Sequence, residues 1–84
     1  NRSLLLLNGL ITQWSRNTVS TSGGLWLSFV IPFSSIPLCT VSSNDNNGYT
    51  YIEGLEVIEL TTDKYRVNRQ NNACADWFMF AQGY

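Results

Sequence analysis

Six carboxylates and five basic side chains, with no histidine, are what this 84-residue chain offers for proton transfer. The missing imidazole removes the commonest general base, any Ser-His triad and any His-ligated metal site. A glycosidase needs two carboxylates facing one bond at a defined separation. Asp45, Glu53, Glu56, Glu59, Asp63 and Asp76 supply the carboxylates, and Glu53 and Glu59 share strand parity. Solvated charges on a strand account for that pair, so the sequence predicts no enzyme, no catalytic residue and no cofactor.

Asn44-Asp45-Asn46-Asn47-Gly48 resembles a calcium loop only superficially. Its alternating ligand positions fail, and Leu55 stands where the bidentate glutamate belongs if Asn44 opens the loop. No metal site is expected. The segment is better suited to recognition: Asp45, Asn46 and Asn47 carry amide and carboxylate groups, with Tyr49 and Tyr51 close by. Sugars are commonly held by such hydrogen-bonding groups beside aromatic faces that pack on apolar ring patches. A second polar cluster, Arg69-Gln70-Asn71-Asn72, makes Arg69, Asn71 and Asn72 further candidates for receptor contact.

The elements that must carry these loops read as strands. β-formers dominate, turn residues recur at short intervals, and no window has a helical period. Six strands are predicted near 9–14, 25–31, 37–43, 52–60, 64–69 and 76–82, with Ser20–Gly24 and Asn44–Gly48 as loops and Thr62-Asp63 closing a hairpin. The fold class is all-β, a small six-stranded antiparallel β-sandwich. Leu25, Leu27, Phe29 and Ile31 should face the core; so should Tyr65 and Val67, with Lys64, Arg66 and Asn68 outward. Val57 and Ile58 are adjacent apolar residues, so a bulge shifts the register or both faces are covered.

The ending, Trp77 to Tyr84, is apolar on both faces: Trp77 and Met79 point one way, Phe78 and Phe80 the other. A small antiparallel sheet normally solvates one face, and a chain of 84 residues has little material beyond one core. A second copy of the chain is the natural cover, and oligomerisation is a standard remedy at this size. Leu4 to Leu7 pose the same problem at the other end. Net charge of −1 provides no basic field for nucleic acid. Leu25 to Phe33 is far too short to span a bilayer, which argues against membrane insertion. The chain opens on Asn1 and not on Met, as a processed product or an excised piece of a longer protein would.

Asn8-Gly9-Leu10-Ile11-Thr12-Gln13-Trp14, then Phe29-Val30-Ile31-Pro32-Phe33, Pro37-Leu38-Cys39-Thr40-Val41, Thr61-Thr62-Asp63-Lys64-Tyr65-Arg66-Val67 and the closing Gly83-Tyr84 come in a telling order. Together they resemble the C-terminal tip domains of tailed-bacteriophage tail fibres, across nearly the whole chain. The chain departs from that pattern at Ser15 and Lys64, where the family usually has glycine. The plan is also similar to the H-type lectin sandwich. The resemblance implies a homotrimer at the distal end of a fibre on the virion, assembled in the host cytoplasm. Residues 1–7 would be the junction with an upstream shaft and residues 8–84 the sandwich of a single tip domain. Its implied partners are itself and a bacterial surface glycan or outer-membrane protein, bound for host recognition and adsorption. Leu5, Leu7, Trp26, Phe78, Phe80 and Tyr84 are then the candidate trimer interface. A reducing cytoplasm favours free thiols at Cys39 and Cys74. Two other roles fit the same residues: a trimerisation cap without receptor contact, or a stand-alone lectin.

Overall fold

The computed structural model describes residues 2–18, 24–43, 55–68 and 76–84. They form seven strands and no helix: β1 (Arg2–Leu7), β2 (Leu10–Asn17), β3 (Leu25–Ser28), β4 (Leu38–Ser43), β5 (Glu56–Leu60), β6 (Lys64–Asn68) and β7 (Trp77–Gly83). One sheet has the order β1-β2-β7-β4 and the other β3-β6-β5, with every pairing antiparallel. The count is seven where the sequence predicts six, because Arg2–Leu7 pairs with β2 in register from Arg2↔Ser15 to Leu7↔Leu10. The turn that joins them is Asn8-Gly9, with φ of 53° and 82°. Two successive positive φ values are what a tight two-residue hairpin requires, and Asn-Gly is the pair that supplies them most cheaply.

Both sheets contribute to a single core between them. Trp77, Met79 and Ala81 of β7 pack with Tyr65 and Val67 of β6 and with Phe29 and Phe33 of the segment after β3. The Tyr65 ring meets Trp77 edge-on at 6.4 Å and lies 5.1 Å from Phe29, which in turn meets Phe33 at 5.0 Å. These are favourable aromatic geometries. Tyr65 and Val67 point inward as their alternation predicts, and Val57 and Ile58 resolve as a bulge: Val57 pairs with Val67, Ile58 is skipped, and Glu59 pairs with Arg66. Ile58 is exposed in consequence.

β2 carries an unusual polarity. Gln13, Ser15 and Asn17 face the interior and are buried, while Trp14 between them faces out. Each inward polar group is satisfied, as burial demands. Gln13 Nε2 donates to the Ile31 carbonyl at 2.8 Å, and its Oε1 accepts from the N–H groups of Val30 and Ile31 at 2.7 and 3.3 Å. Asn17 donates to Ser15 Oγ at 2.9 Å; burial raises the pKa of the Tyr65 hydroxyl on the other sheet, and its polar contact with the same Ser15 offsets part of that rise. Ser15 and Lys64 sit in regular strands without positive φ, so neither needs the conformational freedom of glycine.

The strand expected over 25–31 stops at Ser28. Phe29 leaves the sheet because its N–H donates to the Asp63 carbonyl at 2.9 Å, and Phe33 N–H to the Thr62 carbonyl at 2.7 Å. Residues 29–33 are thus pinned between the β5–β6 turn and the Gln13 side chain. That turn is closed by Thr61, whose Oγ1 accepts from Lys64 N–H at 3.1 Å and donates to Asp63 Oδ1 at 2.8 Å.

Candidate functional site

Strand alternation puts two very different surfaces on the outsides of the two sheets. On the four-stranded sheet, Ser3, Trp14, Phe80 and Thr40 form one row across the strands, and Leu5, Thr12, Gln82 and Leu38 form another. Arg16, Phe78 and Ser42 make a third, and Leu7 lies opposite Leu10. Trp14, Phe78 and Phe80 are each 41% exposed, and Leu5, Leu7 and Leu38 more so. Contiguous apolar surface of this kind on a small protein marks an interaction face.

Two of the polar side chains within that face pair with each other. Gln82 Nε2 donates to Thr12 Oγ1 at 3.0 Å, so the middle row needs no water to satisfy it. At the margin, the Arg16 guanidinium grips Asp76 through two bonds of 3.0 Å, and the Arg16 pKa is raised by that hydrogen bond and the carboxylate's charge. An apolar centre with a charged rim has the composition of a protein interface. Leu6 has the opposite parity and pairs with Ile11, yet it too is exposed.

The outer face of the three-stranded sheet is polar around one aromatic. Trp26 pairs with Arg66, and Ser28 with Lys64. Lys64 Nζ stands 4.7 Å from the centre of the Trp26 ring and the Arg66 guanidinium 5.9 Å from it. Arg66 is ion-paired to Glu59 at 2.7 Å and donates to the Gly24 carbonyl at 3.4 Å. Gly24, with φ of 84°, leaves the space that this guanidinium fills, since an added Cβ would lie 2.7 Å from Arg66 Nε.

Of the predicted interface residues, the structure brings Leu5, Leu7, Phe78 and Phe80 onto one sheet face and adds Trp14 and Leu38 to them. Tyr84 is exposed just beyond β7, and its main-chain oxygen accepts from Ser34 N–H at 2.7 Å and Ser34 Oγ at 2.6 Å. Trp26 lies on the other sheet. The predicted receptor-binding residues Asp45, Asn46, Asn47, Tyr49, Tyr51, Arg69, Asn71 and Asn72 fall outside the described residues, as do Glu53 and Cys74. Among the described residues no group of acidic or thiol side chains could hold a metal ion. Among the described residues no helix is long and apolar enough to cross a membrane. Cys39 carries a free thiol whose pKa burial pushes up to about 11.

The family model described as tail fiber protein gp53-like, C-terminal, matches residues 5–84 of the chain. No curated protein matches it. Two solved structures share its fold over its full length at 19% identity: a P. aeruginosa R2 pyocin fiber, with a TM-score of 0.73, and an N-truncated R2-type pyocin tail fiber, with a TM-score of 0.74. The chain spans 26% of the first and 38% of the second.

Proposed function

The chain belongs to the gp53-like tail fiber C-terminal family, and from that premise we propose that it is a distal fibre domain that trimerises and binds a bacterial surface receptor. The observation that carries the reading is the outer face of the four-stranded sheet, where Trp14, Phe78, Phe80, Leu5, Leu7 and Leu38 stand exposed around a self-satisfied Thr12–Gln82 pair. Facing copies of this surface bury one another's aromatics. Leu4 to Leu7 complete the contact near the axis or against the upstream shaft. Three tips on one fibre raise the effective concentration of each site, so a weak, shallow site suffices for adsorption. The receptor is a surface glycan such as lipopolysaccharide or capsule, with an outer-membrane protein as the other class. The domain works by adhesion and not by catalysis, on the virion, after assembly in the host cytoplasm.

Labelled chain should decorate the bacteria to which the intact fibre attaches. Phe78→Glu with Phe80→Glu should yield a folded monomer whose cell binding falls at least tenfold through lost avidity. Alanine at Asp45, Asn46, Asn47 and Tyr49 separates recognition from a purely structural cap: lost adsorption with an intact assembly supports recognition. Unchanged adsorption by that variant removes this loop from receptor contact, and a wild-type assembly that decorates no such cell contradicts the reading as a whole.

A further inference from the structure

The outer face of the three-stranded sheet has features that self-assembly through the opposite face does not use. Trp26 is 40% exposed, and the strand pairings set it beside Arg66, with Lys64, Glu59 and Ser28 close by in the same sheet. We propose that this face is a binding site for a carboxylate-bearing sugar, with Trp26 as the stacking platform and Lys64 as the group that recognises the carboxylate. The proposal rests on the reading of the chain as a receptor-binding domain and places a receptor site on its described surface.

The two cations beside Trp26 are held differently. Arg66 is fixed, by Glu59 at 2.7 Å and the Gly24 carbonyl at 3.4 Å, so its charge is neutralised in place and it forms a wall of the site. Lys64 has no carboxylate partner among the described residues. Its ammonium rests 4.7 Å from the Trp26 ring centre on a flexible four-carbon stem. A pyranose has an apolar patch of C–H bonds that packs on an indole face, while its hydroxyls stay at the edge. A carboxylate at the sugar's ring edge draws the ammonium off the indole into a charge-assisted hydrogen bond, which is stronger than its neutral counterpart. The same motion opens the ring for stacking. Ser28, exposed and directly opposite Lys64, and the Glu59 carboxylate offer hydrogen bonds to the sugar hydroxyls.

A site of this kind discriminates by charge. A neutral sugar of the same shape has to displace Lys64 from the indole without giving the ammonium a partner. In the assembled fibre, three such faces point away from the buried apolar surfaces, where a polysaccharide can reach them.

The test is an NMR titration of the assembled chain, read at the Trp26 indole N–H, with methyl α-D-galacturonide and methyl α-D-galactopyranoside. These probes share a ring and differ in the carboxylate. The galacturonide is expected to shift the Trp26 indole and the Lys64 amide, and to bind at least about tenfold more tightly than the galactoside. Lys64→Ala should bring the two within about twofold of each other, and Trp26→Ala should abolish both responses. A Trp26 indole that moves with neither sugar, or equally with both, overturns the site. Cell decoration locates any failure. Wild-type and Trp26→Ala chains that decorate cells equally overturn this site alone, whereas a wild-type assembly that decorates no cell overturns the receptor-binding reading and this site with it.

Discussion

Replacing Gln13 with leucine keeps the bulk of a fully buried side chain and removes the groups that hold residues 29–33 in place. Three hydrogen bonds go, at 2.8, 2.7 and 3.3 Å. The first two are short and well formed; the third shares an acceptor and counts for less. A buried donor or acceptor left without its partner costs about 1–3 kcal/mol. The Ile31 carbonyl and the Val30 N–H are only partly buried, so water recovers a share, and the net loss should be about 2–4 kcal/mol. A domain of 84 residues has roughly 4–12 kcal/mol in all, so this one side chain decides whether the segment stays docked. Equilibrium guanidinium unfolding at fixed protomer concentration measures it, since assembly makes stability concentration-dependent. Amide exchange at Val30 should also quicken beyond the global change, because its partner is gone. A loss below about 1 kcal/mol with the Val30 amide still protected would refute the reasoning, by showing that Phe29 and Phe33 packing alone docks the segment.

Tyr65→Phe should cost about 1 kcal/mol in the same assay, through the lost hydroxyl contact to Ser15; an unchanged midpoint would mean that this inter-sheet contact contributes nothing. Gly83→Ala places a Cβ 3.2 Å from Pro37 Cα and 3.3 Å from Phe33 Cδ1, so overpacking against rigid backbone should destabilise by about 1 kcal/mol or more, and a stabilised variant would show that the β4 entry can yield. Burial raises the Cys39 thiol to about 11 against an ordinary 9.0, which leaves about a hundredfold less thiolate at neutral pH. Iodoacetamide labelling at Cys39, followed by peptide mass spectrometry, should therefore be slow at pH 8 and climb up to about pH 11. The linkage has the same sign: the unfolded thiol ionises first, so Cys39 leaves stability unaffected below about pH 9 and erodes it as pH rises from there. Fast labelling at pH 8 would contradict its burial.

Much of the fold was legible because it rests on local alternation. Trp77 and Met79 in, Phe78 and Phe80 out, and Tyr65 with Val67 in, all follow from period two, and the Val57-Ile58 doublet could only be a bulge or a doubly covered strand. β1 was not legible from period two, since Leu4 to Leu7 do not alternate. The signal that would have found it was Asn8-Gly9, a strong two-residue hairpin turn flanked by apolar residues. The end of β3 at Ser28 and the burial of Gln13 were hidden for another reason. Both depend on hydrogen bonds between residues far apart in the chain, Gln13 with Val30 and Ile31 and Phe29 with Asp63, and no local pattern encodes those. Trp26 shows the same limit. Its parity was readable, but the neighbours that make its face polar arrive from β5 and β6.

The proposed trimer forms through the apolar outer face of the four-stranded sheet. Light scattering on the purified chain, repeated after dilution with mass photometry or an equivalent mass readout, tests it most directly. The particle should have three times the 9.5 kDa chain mass, persist on dilution and fall to the single-chain mass when Phe78 and Phe80 are both changed to glutamate. A well-folded wild-type monomer would contradict it and leave Trp14, Phe78 and Phe80 as a binding surface for something other than a second copy.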